Sequence, residues 1–246
     1  MIGDSCKDVY EYGECERLNP EAPVPVFNPK YSKENGGMAS NVFNNLASLG
    51  AAVFLHTNSE EIIKKRFVEQ KTNYILLRID SGEEAVTRVD GLTKKFLQEF
   101  EAIVVSDYDK GFLLEEDIEY ICKNHPLVFI DTKKDLSDWV LSAAFIKINE
   151  KEYEKSKNFI EFNDNTLSKK LIVTLSERGC VYDEKSYSVE NVGIKDLTGA
   201  GDTFLAGLVY KYIESRNVDT SIKFANKCAT AVVQQKGVNV VNTEKI

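Results

Sequence analysis

The chain has 246 residues with a formal net charge of −8 at pH 7, and 43% of its residues are apolar and 28% charged, which is the composition of a globular protein with a sizeable core. This acidic balance argues against a nucleic-acid surface, because phosphate backbones are bound by clustered Lys and Arg. The chain has five cysteines without a CxxC pair and only two histidines, which argues against a zinc centre and predicts reduced thiols in a cytoplasmic protein. No apolar run comes near the roughly 18 residues of a membrane span, and the N-terminal residues do not predict a signal peptide.

Short apolar, β-branched segments recur along the chain and predict the strands of a sheet. They lie at 51–56, 102–106, 127–131, 144–149 and 171–175. Helical periodicity separates most of them, at 39–49, 92–99, 114–124, 150–157, 201–215 and 219–236. Strands that alternate with helices predict βαβ units, and continuous apolar runs indicate strands that are covered on both faces. We therefore predict a doubly wound α/β fold with a mostly parallel sheet.

Two segments do not follow this alternation and predict a small separate sheet. Residues 8–27 alternate weakly and contain prolines at 20, 23 and 25, and proline confines a segment to an edge strand or an extended stretch. Residues 74–91 predict a hairpin around Ser81-Gly82. Together they predict a β lid, with segments at about 9–27 and 74–90, on a single domain that spans 1–246.

Polar residues follow four of the predicted strands. They are Asp107, Asp131, Asn149 and Ser176. In open parallel sheets, ligands bind outside the carboxyl ends of the strands, so the four positions together indicate one shared cleft. For each position taken alone, an ordinary polar loop remains an equally good interpretation.

The segment "DLTGAGDTF" (196–204) combines a glycine-rich turn with the start of a long apolar helix. Backbone N–H groups at a helix N-terminus form an anion site, and glycines allow a phosphate to approach without a Cβ in the way. Asp202 beside such a site is suited to take a proton from an attacking hydroxyl. A favourable charge at a helix N-terminus is the alternative. The sequence contains neither GK[ST] nor GxGxxG, which argues against a P-loop and a dinucleotide site.

The same segment closely resembles the D-T-x-G-A-G-D signature of the ribokinase-like (PfkB) carbohydrate kinases. Four further segments are similar to that family in the expected order: "GGMASNVFNNLASLGA" (36–51), "NEKE" (149–152), "TLSERG" (174–179) and "FANKCATAVVQQKG" (224–237). The resemblance implies a ribokinase-like fold with a β lid, use of ATP and Mg²⁺, a monovalent cation such as K⁺ as a further option, and a homodimer that pairs through the lid.

Three segments are most similar to the branch that phosphorylates D-glycero-β-D-manno-heptose 7-phosphate. They are "GDSCKDVYEYGECERLNPEAPVPVF" (3–27), "VVSDYDKG" (104–111) and "FIDTKK" (129–134). The resemblance implies transfer of the γ-phosphoryl group of ATP to the anomeric hydroxyl of that sugar phosphate, which gives the 1,7-bisphosphate.

The resemblance also implies a role for each matching residue. Asp202 is the general base, and the N–H groups of Gly199, Ala200 and Gly201 form the anion hole. The expected sugar contacts are Asp8, Gly36, Gly37, Asn41 and Asp107, with Lys110, Arg78 or Lys133 for the distal phosphate. The expected ATP contacts are Lys133, Asn149, Glu152, Thr174, Ser176, Gly179, Asn226 and Gly237, of which Asn149 and Glu152 serve Mg²⁺ through water.

The sequence departs from the heptose branch in the stretch 57–80, which is shorter by about one strand–helix unit and part of a lid strand. It also has "IDTKKD" (130–135) where that branch favours proline after the aspartate. No nucleotidyltransferase sequence follows the kinase motifs, so we expect no second activity. A kinase of the same fold for another sugar, such as ribose or fructose, and a catalytically weak binding protein remain the alternatives.

Overall fold

The chain folds around two β-sheets, and the computed structural model describes residues 1–235 and 237–245. The strands are β1 (Ile2–Gly3), β2 (Ser5–Leu18), β3 (Pro25–Met38), β4 (Ile63–Glu69), β5 (Ile75–Ser81), β6 (Ile103–Asp107), β7 (Val128–Thr132), β8 (Phe145–Asn149), β9 (Leu171–Thr174), β10 (Cys180–Tyr182) and β11 (Lys185–Tyr187). The α-helices are α1 (Ala39–Ser48), α2 (Lys94–Leu97), α3 (Glu115–Asn124), α4 (Glu150–Phe162), α5 (Asp164–Leu167), α6 (Ala200–Ser215) and α7 (Val218–Val233).

The main sheet has the strand order β1-β6-β7-β8-β9-β10-β11. Its strands are parallel from β1 to β9, and β10 and β11 are antiparallel additions. Alternate side chains of each strand enter two different cores: Val105 and Ile130 pack with α3 residues on one face, and Val104 and Phe129 pack with α1 and α6 residues on the other. Because both faces are covered, the strands are mostly apolar. The predicted doubly wound, mostly parallel α/β fold is confirmed.

A second sheet, which we call the lid sheet, has the order β3-β2-β4-β5. Strands β2 and β3 form a long antiparallel ribbon with two register shifts, β4 runs parallel to β2, and β5 pairs antiparallel with β4. Burial alternates along β4, where Lys64, Arg66 and Val68 are buried and the residues between them are only partly buried. The lid sheet therefore has a protected inner face and a more exposed outer face.

The predicted hairpin at 74–91 is wrong. Strand β5 ends at Ser81 and pairs with the preceding strand β4, and Glu83–Ala85 form a short 3₁₀ helix instead of a returning strand. The turn signal itself was real, because Gly82 has a φ of 85°, a conformation that favours glycine. The second part of the lid sheet therefore starts with β4 at residue 63, before the predicted segment 74–90, and residues 82–90 are not part of the sheet.

The segment 51–56 is also not the strand that its apolar composition predicts. It makes a single parallel bridge between His56 and Ile2. Strand β1 has only two residues, so it offers little edge for a neighbouring strand. The chain then passes to β4 within a few residues, as the shortened sequence of this region requires.

The other predicted elements agree with the structure in type. The strands at 102–106, 127–131, 144–149 and 171–175 and the helices at 39–49, 114–124, 201–215 and 219–236 are confirmed within a few residues, with residue 236 outside the described part. The helix at 92–99 is reduced to α2, and the helix at 150–157 extends to Phe162. Within the described residues, no helix has the length and apolar character that crossing a bilayer requires.

Candidate active site

A cleft of about 730 Å³ lies at the carboxyl ends of β7, β8 and β9, beside the start of α6. This volume is in the range of small-molecule sites. Most of the residues expected at the nucleotide line it: Lys133, Asn149, Thr174, Ser176, Gly179 and Asn226, together with Gly199, Ala200, Gly201 and Asp202. Gly237 instead lines a separate cleft of about 340 Å³ beside lid tyrosines. Three of the four predicted strand-end positions, Asp131, Asn149 and Ser176, therefore share one cleft, whereas Asp107 does not line it.

The glycine turn approaches its neighbours too closely for a side chain. Gly199 has a φ of 80°, and a Cβ built on it would lie 2.6 Å from Asn41 Nδ2. A Cβ on Gly201 would lie 3.0 Å from Lys147 Nζ. Within the described residues, the N–H groups of Gly199 and Gly201 have no acceptor, whereas the N–H of Ala200 donates to the Leu197 carbonyl at 3.2 Å. The turn thus presents free N–H groups at the positive end of a helix dipole.

Asp202 lies in the first turn of α6 and is buried. Its Oδ1 accepts a hydrogen bond from the Tyr108 hydroxyl at 2.6 Å, and its Oδ2 accepts one from Asn41 Nδ2 at 2.9 Å. Burial raises the pKa of Asp202, and the two hydrogen bonds and the nearby Lys147 charge oppose that rise. The desolvated carboxylate is therefore a stronger base than an exposed aspartate.

Tyr108 connects the main sheet to Asp202. Burial, with the Asp202 charge, raises the pKa of its phenol well above the usual value, so the hydroxyl stays protonated and acts as a donor. The ring has Lys133 Nζ 5.2 Å and Lys64 Nζ 5.4 Å from its centroid. Tyr108 was not among the residues expected at the site, although it stands directly after the strand-end Asp107.

Lys147 is a second residue of the site that was not predicted from the sequence. It is buried in β8, where its Nζ donates to Asp131 Oδ2 at 2.6 Å. The other oxygen of Asp131 is buried and makes no hydrogen bond within the described residues. A lysine in the apolar run "AFIKIN" was the available signal, because Lys is almost never fully buried without a paired charge. The ammonium lies beside the glycine turn and lines the cleft.

Asn149 and Glu152 form a capping box at the start of α4. Asn149 Oδ1 accepts hydrogen bonds from the N–H groups of Lys151 at 2.9 Å and Glu152 at 3.0 Å, and Glu152 Oε2 accepts one from the Asn149 N–H at 2.7 Å. Lys133 Nζ pairs with Glu152 Oε1. This arrangement holds the Asn149 side chain at the mouth of the cleft and places Glu152 behind it.

Two of the sugar-side residues expected from the sequence, Asp8 and Gly37, meet at the lid sheet. Asp8 pairs with Arg66 across β2 and β4, and a Cβ on Gly37 would lie 2.1 Å from Asp8 Oδ2, which explains the glycine. Gly36 lines a separate open cleft next to β2. Asn41, on α1, reaches Asp202 directly.

Three other expected substrate contacts are bound within the protein. The Asp107 carboxylate accepts hydrogen bonds from Thr132 Oγ1 at 2.5 Å and from Lys134 Nζ at 2.9 Å. Lys110 pairs with Glu83 at 2.7 Å, and Arg78 forms two bonds of 2.7 Å with Asp80. Their contact with substrate stays a prediction.

The comparisons with known proteins identify the family to which the chain belongs. The pfkB family carbohydrate kinase model matches residues 54–245. The bifunctional protein HldE of a Nitratiruptor species is 31% identical over 293 aligned positions, which cover 100% of this chain and 63% of that protein. The chain thus spans less than two thirds of that relative's length. Since the alignment is longer than the chain, the relative also has residues inside the matched region with no counterpart here.

Two solved structures have the same fold at low identity. Phosphofructokinase-2 from Escherichia coli in complex with potassium matches with a TM-score of 0.73 and 13% identity, over 100% of this chain and 96% of that one. Ribokinase of Arabidopsis thaliana complexed with ribose and ATP matches with a TM-score of 0.69 and 15% identity, over 96% and 92%. The fold expected from the sequence is therefore confirmed.

Proposed function

The chain belongs to the pfkB family of carbohydrate kinases and is an ATP-dependent carbohydrate kinase, and we propose that its acceptor is the anomeric hydroxyl of D-glycero-β-D-manno-heptose 7-phosphate. The observation that carries the kinase chemistry is Asp202, buried at the end of the cleft beside the free N–H groups of the glycine turn. The heptose assignment is supported by the segments 3–27 and 104–111 and by the similarity to HldE. The product would be the 1,7-bisphosphate.

In the proposed mechanism, Asp202 holds the acceptor hydroxyl and takes its proton. A carboxylate has about four lone-pair positions, and Tyr108 and Asn41 occupy two of them. A sugar hydroxyl can therefore bind without displacing either residue. Because the transition state of phosphoryl transfer is loose, the proton moves late, and the main contribution of Asp202 is to orient the hydroxyl.

The charge on the transferred phosphoryl group is stabilised by the glycine turn and by Lys147. The N–H groups of Gly199 and Gly201 have no acceptor within the described residues, and Lys147, which is paired with Asp131, places its ammonium beside Gly201. Donors of this kind are effective in a partly desolvated cleft because they need not reorganise during the reaction.

The residues present fit a Mg²⁺ ion only when nucleotide phosphates complete its shell. Within the described residues, no group of three or more acidic, His or Cys side chains could hold a metal ion. Mg²⁺ often uses one or two carboxylates together with phosphates and water, and Asp131 has a buried oxygen without a hydrogen bond at the cleft. Asp131, with Asn149 and Glu152 through water, would hold the ion, which would neutralise phosphate charge.

A requirement for K⁺ remains an expectation from the resemblance. Comparison of the phosphorylation rate in K⁺ buffer with the rate in Na⁺ buffer tests it.

An ATP-consumption screen over a panel of sugars and sugar phosphates tests the proposal. Heptose 7-phosphate should give the highest kcat/KM, with one sugar bisphosphate formed per ADP. A higher kcat/KM with ribose, fructose or another sugar would replace the heptose assignment by the alternative that the shortened stretch 57–80 favours. No stimulation by any sugar would favour a binding protein.

The activity should fall at acidic pH, because the base must be ionised. The pKa of Asp202 is raised by burial, so kcat/KM should decrease as pH falls through a midpoint above the ordinary aspartate value. Tyr108→Phe removes a hydrogen bond that lowers this pKa, so the midpoint should move to higher pH. Tyr120→Phe, at an exposed position of α3, is the matched control. An acid limb that is the same in all three proteins would contradict the assignment.

We propose that the chain forms a homodimer through the lid sheet. Strand β5 is exposed along its whole length, and its outer face presents Leu77 and Ile79 at 54% and 46% exposure. An apolar edge strand of this kind favours pairing with another chain. Sedimentation velocity should give a dimer that Leu77→Lys with Ile79→Lys converts to a monomer. A monomeric unmutated protein would refute the proposal.

A further inference from the structure

We infer that Lys64 and Arg66, on the inner face of the lid sheet, form an anion site that binds the distal phosphate of the sugar phosphate. This inference rests on the proposed function and assigns residues to one end of its substrate. Both side chains project from β4 on the buried face of the strand, and each is 8% exposed. They therefore lie between the lid and the main domain.

The ammonium of Lys64 has no carboxylate of its own, because Asp80, which lies opposite it in register, is bound to Arg78. Its Nζ lies 3.1 Å from the Met38 thioether and 5.4 Å from the centroid of the Tyr108 ring, and it forms no ion pair within the described residues. A thioether is a weak acceptor, and a buried charge that makes no direct ion pair is unfavourable. A bound anion at this position would remove that penalty.

Arg66 is held in place with donors to spare. Its NH1 donates to Asp8 Oδ1, and its guanidinium lies 5.0 Å from the centroid of the Tyr10 ring. Its Nε and NH2 have no acceptor within the described residues. A guanidinium has five N–H donors in a planar fork that matches phosphate oxygens, so Asp8 orients a group that can still bind an anion.

The position of Lys64 suits the far end of a substrate whose hydroxyl is bound at Asp202. The Tyr108 hydroxyl lies 2.6 Å from Asp202 Oδ1, and the ring of the same residue contacts Lys64. The base and the ammonium therefore approach the same side chain, Asp202 at the hydroxyl of Tyr108 and Lys64 at its ring. A substrate lying along Tyr108 would place its phosphorylated end at the inner face of the lid sheet.

Lys64 is a better candidate than the cations first expected at the distal phosphate. Lys110, Lys133 and Arg78 each have a carboxylate partner, and an anion would have to compete with it. In register with β4, Arg78 lies opposite Arg66, and Asp80 lies opposite Lys64. Among the described residues of this face, three cations lie with two carboxylates, Asp8 and Asp80, which leaves a local positive charge in an acidic protein.

Lys64→Met tests the site, with Lys65→Met as the matched control. Lys65 is the next residue of the same strand, on the outer face, where it pairs with Glu11 at 3.0 Å. Lys64→Met should raise KM for heptose 7-phosphate by about 10- to 100-fold, the scale of hydrogen bonds to charged groups. KM for unphosphorylated heptose and for ATP should stay unchanged, and Lys65→Met should behave as the unmutated protein. Equal losses with both sugars, or no loss, would overturn the inference.

Equilibrium binding separates this inference from the proposed function. By calorimetry, the unmutated protein should bind heptose 7-phosphate at least about tenfold more tightly than heptose, and Lys64→Met should abolish this preference. If the protein phosphorylates neither sugar, the proposed function fails, and ribose 5-phosphate against ribose then probes the anion site alone. Absence of any Lys64-dependent preference for the phosphorylated sugar overturns it. Lys64→Gln provides the same comparison if Lys64→Met does not fold.

Discussion

Asp202→Asn should lower kcat for sugar phosphorylation by at least about 10²-fold, the usual scale of general-base catalysis, while the Kd for ATP changes little. The amide keeps the size of the side chain and its place in the first turn of α6, but it cannot accept a proton. Stopped assays of ADP and sugar phosphate measure the rate, and calorimetry with ATP measures the binding. Loss of the buried negative charge leaves the N–H groups of the glycine turn free for phosphate.

A matched control separates the base from a simple helix-terminal charge. Asp219 lies in the first turn of α7, where it accepts a hydrogen bond from the Tyr187 hydroxyl at 2.6 Å, and it does not line the cleft. Asp219→Asn should lower stability slightly and leave kcat unchanged. If Asp202→Asn keeps most of its rate, Asp202 serves only as a favourable charge at the helix start, the alternative that the sequence left open.

The sheet core was predictable because the apolar runs at 102–106, 127–131, 144–149 and 171–175 can satisfy only one arrangement. Each is too short for a helix and too apolar for a surface strand, so parallel strands covered on both faces remain. The run at 51–56 has the same composition and is not a strand, since its neighbour β1 is only two residues long. Composition shows that a segment can pair, but not whether a partner is present.

The lid sheet was harder to predict, because periodicity does not identify the partner of a strand. The segment 74–81 was correctly extended, and the Gly82 turn was real. Its partner is β4, at 63–69, which precedes it. The role proposed for Lys64 and Arg66 could be inferred only from this register, because the register places them on the inner face, opposite Asp80 and Arg78 respectively. A sequence pattern of charged residues in that stretch is equally typical of a solvated strand.

The residues of the candidate site that belong to one short motif could be predicted, because local backbone geometry places them together. The residues that reach the site through long-range contacts could not be predicted. Gly199 to Asp202 are contiguous, and Asn149 with Glu152 is a capping box within one helical turn. Tyr108 follows the end of β6 and Lys147 lies on β8, so their proximity to Asp202 follows from the strand order. The sequence still contained a signal for each residue. Tyr108 directly follows the strand-end Asp107, and Lys147 is a charged residue in an apolar strand.

Lys147→Met should lower kcat by about 10²- to 10³-fold, the effect of removing one donor from a developing oxyanion. The Nζ of Lys147 lies beside Gly201 and lines the cleft, so the substitution removes a positive charge where the γ-phosphoryl group is proposed to pass. Lys151→Met, at an exposed position of α4, should leave kcat unchanged.

The same substitution also leaves Asp131 buried without its cation, and breaking a buried pair in this way costs about 3–5 kcal/mol of stability. The rate must therefore be measured together with Tm. Lys147→Met combined with Asp131→Asn removes both charges and should recover much of the lost Tm, while kcat stays low. Recovery of kcat together with Tm would mean that Lys147 only supports the fold of β7 and β8. Because Asp131 is also proposed to hold Mg²⁺, Asp131→Asn alone must be measured beside the double variant. A stable double variant that is much slower than Asp131→Asn would leave stabilisation of the transferred phosphoryl group as the role of Lys147.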